Sequence, residues 1–169
     1  IYFLNIAPKQ FEGDGTAQSP YLLKSPADFK TLNKAITENG LTFENDYYAL
    51  ANDIDFSGVT DFYGIADDTN EKHLFNATLD GRGHTITPEG KIASGAKQTV
   101  ALIGILGTKG HVKNLIIDSS CKLNGAAGVA STVAICNGTI ENVRNYAPVT
   151  AASTHAAGIV ARLMEGAKV

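Results

Sequence analysis

After residue 46 the apolar positions fall into short runs, each closed by Gly, Asn or Asp. Tyr47-Tyr48-Ala49-Leu50 leads into Asn52-Asp53-Ile54-Asp55-Phe56, and residues 74–79 lead into Asp80-Gly81-Arg82-Gly83-His84 and then Thr85-Ile86-Thr87. Residues 100–106 and 112–117 are near-continuous aliphatic runs, and 128–135 and 140–146 repeat them. Short apolar runs punctuated by turn formers read as strands. One helix precedes them. Ser25 is its N-cap, Pro26 its first residue and Asp28 the third position of a capping box. Phe29, Leu32, Ala35 and Ile36 form its apolar stripe, and Gly40 closes it, so the helix is predicted over about 26–39.

The runs recur. Val112-Lys113-Asn114-Leu115 returns as Ile140-Glu141-Asn142-Val143, a step of 28 (140 − 112), and Gly128-Val129-Ala130-Ser131 matches Gly158-Ile159-Val160-Ala161 at a step of 30 (158 − 128). Leu22, Leu50, Leu79, Leu115 and Val143 are predicted to share one row. A repeat of this length with no second helical stripe after residue 40 excludes crossover helices. It predicts a solenoid in which each coil, of three strands and three turns, pairs in parallel with the coil before it. The helix is expected to lie across the open end of the stack, where it shields the first coil. Residues 88–98, rich in Gly, Lys and Ala, are expected to bulge out as a partner-facing loop.

The 169 residues fit one domain: a lead-in over 1–12 and a β-helix domain over 13–169. A net charge of −3 with no basic stripe excludes nucleic acid as an expected partner. The longest small and apolar run, 126–136, is too short and too polar for a membrane span. The chain begins at Ile1, which suggests a mature or trimmed product. Val169 aligns with Ile140, which suggests a parent that continues into further repeats. Cys121 and Cys136 lack metal spacing; one disulfide is open to them, and two small buried thiols are the expectation.

Residues 77–86, Ala-Thr-Leu-Asp-Gly-Arg-Gly-His-Thr-Ile, resemble the F-x-G-T-F-D-G-N-G-H-T-I stretch of bacterial surface proteins that carry GLUG repeats. Residues 15–23 and 50–56 resemble the start of the same region, and 101–107, 128–134 and 158–163 stand where that family places its G-L-x-G elements. The second and third of these lack the final Gly of the element. Such modules occur in adhesin-like surface proteins and beside the catalytic part of IgA-protease-like peptidases. The resemblance implies an all-β fold, a right-handed parallel β-helix, with secretion and surface display, including outer-membrane attachment. It licenses no specific activity.

Candidate chemistry is sparse. Asp53 and Asp55 alternate on one strand and so share a face, where they could bind Ca²⁺ or act on a sugar. A surface pair, with Arg82 one coil above Asp53, is the expected arrangement. Asp67 and Asp68 sit in a polar loop. His84 is expected to bond backbone in its turn, and His73, His111 and His155 share no spacing that would ligate a metal. Asn114 and Asn142, on equivalent coils, are expected to stack as an amide ladder. Asn76-Ala77-Thr78 and Asn137-Gly138-Thr139 match the glycosylation sequon, read as chance matches in a bacterial protein. No residue is assigned a catalytic, cofactor or metal role.

The function expected is a non-catalytic, surface-exposed module that offers a wall to a host or microbial glycan or a surface protein, or that serves as a rigid spacer. The alternatives are a carbohydrate-active β-helix enzyme, whose mark would be a groove lined by three or more acids with a Lys or Arg, and the stalk of a secreted peptidase.

Overall fold

Parallel strands lie on one another coil by coil in the computed structural model, which describes residues 11–66, 70–88, 99–120 and 122–169. In chain order the elements are β1 (Tyr21–Leu23), α1 (Pro26–Thr37), β2 (Tyr47–Leu50), β3 (Ile54–Asp55), β4 (Thr78–Asp80), β5 (Thr85–Thr87), β6 (Thr99–Val100), β7 (Ile103–Leu106), β8 (His111–Ile117), β9 (Leu123–Gly125), β10 (Gly128–Ala130), β11 (Val133–Cys136), β12 (Thr139–Asn145), β13 (Val149–Ala151), β14 (His155–Ala157) and β15 (Val160–Leu163). They form a parallel β-solenoid of about five turns with one short helix. One wall runs β1-β2-β4-β8-β12 and continues through β5 and β3 onto β8. The others are β6-β10-β14, β7-β11-β15 and the pair β9-β13. Each named pairing is parallel.

The pairing sets like residues over like. Tyr21, Tyr48, Leu79, Val112 and Ile140 occupy one inward column, and Ile54, Ile86 and Ile117 a second. Ile103, Val133 and Val160 form a third, extended by Ile65, and Leu106, Cys136 and Leu163 a fourth, extended by Phe75. From Tyr21 to Ile140 the first column is buried, and most inward positions join one continuous core. This burial is the dominant favourable term, since each fully enclosed aliphatic side chain contributes about 1.5–3 kcal/mol.

The expected step of 28 between Val112 and Ile140 is the observed register. Other assignments shift. Leu79 stacks on Tyr48 and Val112, not on Leu50 and Leu115. Both the expected and the observed partners face inward: Leu50 lies two residues from Tyr48 and shares its face, and Leu115, three residues from Val112, is turned inward past the left-handed Asn114 (φ 53°). A slip of one residue does matter: Leu22 pairs with Ala49 and is only half-buried, while Leu23 pairs with Leu50 and is fully enclosed. The step of 30 between residues 128 and 158 is corrected to 27 (155 − 128), since Gly128 pairs with His155 and Val133 with Val160.

α1 follows its local signals. Asp28 Oδ2 accepts the amides of Ser25 (2.9 Å) and Lys24 (2.8 Å), which satisfies donors at the helix start. Its stripe of Phe29, Leu32, Ala35 and Ile36 is buried. The helix closes the stack at the β1 and β3 end, where the Phe29 ring meets Phe56 (5.3 Å) and Phe62 (6.1 Å) edge-on. It ends at Thr37, two residues before the expected bound, and Gly40 beyond it takes a φ of 64°. Residues 1–10 of the lead-in, 89–98 of the expected loop, Asp67, Asp68 and Cys121 lie outside the described residues. No described helix is long and apolar enough to cross a membrane.

Candidate functional site

The polar groups that could carry chemistry lie on the outer walls and at the corners between strands. Asp14, Asp55, Asp80 and Asp118 each accept the backbone N–H two residues on, at Thr16 (3.0 Å), Ser57 (2.8 Å), Arg82 (2.8 Å) and Ser120. Such bonds fold the chain back at a corner and stabilise the turn. Asp53 joins two coils: its Oδ1 accepts the Thr85 amide at 2.8 Å and lies 3.3 Å from His84 Nδ1. His84 therefore meets a carboxylate with its ring and reaches backbone through its own amide, which donates to Gly81 O. This replaces the expected Arg82–Asp53 pair. Arg82 sits in a left-handed backbone conformation (φ 53°), and its amide serves Asp80 instead.

These bonds set the charge state. The Thr85 amide lowers the pKa of Asp53. The hydroxyl and amide of Ser57 lower that of Asp55, Ser120 that of Asp118 and Thr16 that of Asp14. Carboxyls held low are ionised at neutral pH and cannot donate a proton there, whereas a general acid needs a raised pKa. Asp46 departs from them: burial raises its pKa, beside Tyr21 and Tyr48. Asp53 and Asp55 share a wall with Asp118, but Thr87 separates Asp55 from Asp118 along the column, and Thr87 Oγ1 donates to Asp118 (3.4 Å). Among the described residues no three His, Cys, Asp or Glu side chains gather as a metal site.

Two ladders run up the first wall. Asn142 Nδ2 donates to Asn114 Oδ1 (2.9 Å), and Asn114 Nδ2 donates to Asp80 Oδ1 (3.1 Å). Asn114 and Asn142 both have positive φ (53° and 49°), which Asn tolerates better than most residues. The expected amide ladder is present and gains Asp80 as its first member. Beside it Asp80, Lys113 and Glu141 stack in register, acid over base over acid, with Lys113 Nζ 3.6 Å from Asp80. His111 Nε2 lies 3.3 Å from Glu141. Lys113, Glu141 and Asp118 were missed in the sequence; the step of 28 that aligned Asn114 with Asn142 also aligns Lys113 with Glu141.

Two shallow hollows open on the wall of β7, β11 and β15. The larger, about 330 Å³, is lined by Leu74, Ile105, Ile135 and Met164 together with Glu71, Thr108, Asn137 and Arg162. The smaller, about 180 Å³, is lined by Ala134, Ile135 and Ala161 together with Thr154, His155 and Arg162. Arg162 borders both. The larger hollow holds one acid, Glu71, so the three-acid groove that marks the enzyme alternative is not assembled there. His155 is exposed and borders the smaller hollow, while the His73 amide donates to Asn70 O. Asn76 is buried against Gly107, and Asn137 Nδ2 donates to Leu106 O (3.1 Å), so both sequon asparagines are used in packing. Cys136 is a buried thiol whose burial raises its pKa, and its Sγ donates to Gly138 O.

No family model matches the chain. It is similar to Halomucin of Haloquadratum walsbyi, 34% identical over 148 residues. That alignment covers 83% of this chain and 2% of the relative, so the chain spans a small part of the relative's length. Its fold is similar to a crystal structure described as an immunoglobulin A1 protease from Bacteroides ovatus (TM-score 0.50, 14% identity), over 92% of this chain and 56% of that one. At that identity the likeness concerns the fold.

Proposed function

We propose that this chain is a non-catalytic, surface-displayed solenoid module that presents its walls for adhesion or ligand presentation, or holds other parts of a larger secreted protein apart. One observation carries the reading: Asp14, Asp53, Asp55, Asp80 and Asp118 are each engaged by a backbone amide that shapes a turn or joins two coils. A carboxylate used in that way supports the scaffold and is not free to work on a substrate. The similarity to Halomucin and the GLUG-like stretch at 77–86 support surface display; attachment at an outer membrane and a host or microbial glycan or protein as ligand belong to the same proposal.

The test pairs an array of glycans and surface proteins with an assay for new reducing ends on polysaccharides. Retention on a ligand with no new reducing ends is the expected result for the presenting form, and an array without ligand leaves the spacer form. Catalytic release of reducing ends would falsify both.

A further inference from the structure

We propose that the larger hollow on the wall of β7, β11 and β15 is a trough for an extended peptide segment of a partner protein, with a basic and an acidic residue four apart and an aliphatic residue midway between them. The inference deepens the surface-module reading and rests on it, because it names the ligand class of one wall.

The hollow opens sideways, across the stacking direction, and backbone pairing lays its floor in a line. Phe75 bridges Leu106, which levels Leu74 with Ile105; Ile105 pairs with Ile135, and Ile135 with Arg162. β7 is flanked by β11 and by the bridges from Ile65 and Phe75, and β11 by β7 and β15, so Ile105 and Ile135 lie inside the stack. Ile105 is buried yet stands apart from the central core, and Leu74 and Ile135 are half-buried. A continuous aliphatic strip on an outer wall is informative, because such strips mark binding surfaces. Across from it stand Thr108, Asn137 and Met164, and Gly107, which carries no side chain, leaves space between the two banks. The volume of about 330 Å³ reaches the range of ligand sites.

The ends of the trough carry opposite charge. Glu71, three residues before Leu74, stands at one end and Arg162 at the other. Both are exposed, and neither side chain has an ion-pair or hydrogen-bond partner among the described residues. Two free charges of opposite sign around an apolar strip complement a ligand that sets a cation, an aliphatic group and an anion in line. An extended peptide has the right spacing. Coils about 4.8 Å apart put Arg162 about 14 Å from Leu74 over three steps, and a strand rising about 3.3 Å per residue spans about 13 Å between positions four apart. Positions i, i+2 and i+4 share one face, so all three side chains reach the trough together. Such a segment lies across the coils and binds through side chains, with no place in a sheet. This sequence has that order at Lys34-Ala35-Ile36-Thr37-Glu38, but there it belongs to α1 and its end, with Ile36 buried, so a second copy does not supply the segment.

The probe is an acetylated and amidated heptapeptide of sequence TKTLTET, titrated into the ¹⁵N-labelled chain. The expected result is amide shifts grouped at residues 71–74, 105–108, 135–137 and 162–164. TKTSTET, which lacks the aliphatic residue, should bind at least about fivefold more weakly, and TETLTET, with acid at both ends, about threefold more weakly. Glu71→Lys, an exposed change whose remaining spectrum reports an intact fold, should reverse the order of TKTLTET and TETLTET. Three results would overturn the proposal: no shift at the trough up to the solubility limit of TKTLTET, equal binding of TKTSTET, or an unchanged preference in Glu71→Lys. A chain that releases no reducing ends and shows none of these shifts keeps the surface-module reading and loses the trough.

Discussion

Replacing Tyr48 with Phe removes one oxygen from the largest fully buried side chain of the solenoid. The Tyr48 ring is packed by Phe11 (5.7 Å), Tyr21 (5.4 Å), Phe43 (5.8 Å) and Phe75 (6.3 Å), and a Phe ring keeps those four contacts. Its hydroxyl is enclosed with no hydrogen-bond partner among the described residues, and burial raises its pKa far above the usual tyrosine value. An unsatisfied buried hydroxyl costs about 1–3 kcal/mol of desolvation. Tyr48→Phe is therefore expected to stabilise the fold by about 1–2 kcal/mol, the lower part of that range. For a domain of this size that is about 2–4 °C in Tm per kcal/mol. Urea unfolding followed by circular dichroism reads the change as a higher midpoint at unchanged slope. Tyr48→Leu, which stays apolar but loses volume and the aromatic pairs, should lose about 2 kcal/mol. If Tyr48→Phe instead lowers the midpoint, the hydroxyl makes a bond that stabilises the fold, and the reasoning fails.

Other expectations concern the corners and the carboxylates. Gly81→Ala places a Cβ 2.4 Å from Asn114 O and 2.8 Å from Leu115 Cα, both backbone, and should cost about 1–3 kcal/mol in the same unfolding assay. Gly83→Ala meets open space but a φ of +79°, and should cost about 1 kcal/mol. Asn114→Ala removes both ladder bonds and puts Ala at positive φ, so a loss of about 2 kcal/mol is expected, with Asn114→Gly recovering part of it. Asp46 and Asp53 should respond to pH with opposite sign. Burial raises the folded pKa of Asp46, so its stabilising contribution is full at low pH and is lost as pH rises through that value. Asp46→Asn should therefore raise Tm at pH 7 and leave it unchanged at pH 3. The Thr85 amide lowers the pKa of Asp53, so its contribution is present above the ordinary value of about 3.9 and lost as pH falls through the folded value. Asp53→Asn should lower Tm at pH 7 and converge with the native chain as pH falls below the folded value.

α1 was legible because its signals are local: cap, proline, stripe and closing glycine lie within one stretch of sequence. The solenoid was legible because Val112–Val143 repeats itself in side-chain chemistry. The register was less so. Four residues, 81–84, separate β4 from β5 where β8 spends only two, 114 and 115, because both short strands pair along the single long one. Nothing in the identity of those four marks them as an insertion, so the repeat spacing puts Leu79 beside Leu115. In the last coil the Gly128 and Gly158 stretches look alike, yet backbone pairing sets Gly128 on His155. Small and aliphatic residues alternate so regularly there that several offsets match equally well. The carboxylates carried a readable sign: Asp55-Phe56-Ser57 and Asp118-Ser119-Ser120 have the aspartate and hydroxyl spacing of side-chain-closed turns.

A plug of aromatic and aliphatic side chains seals the solenoid where α1 crosses it. Coils touch only their neighbours, so local opening need not involve the whole stack. Amide exchange should be slow in the coil beneath α1, and Phe29→Ala should speed it there before it is felt in more distant coils.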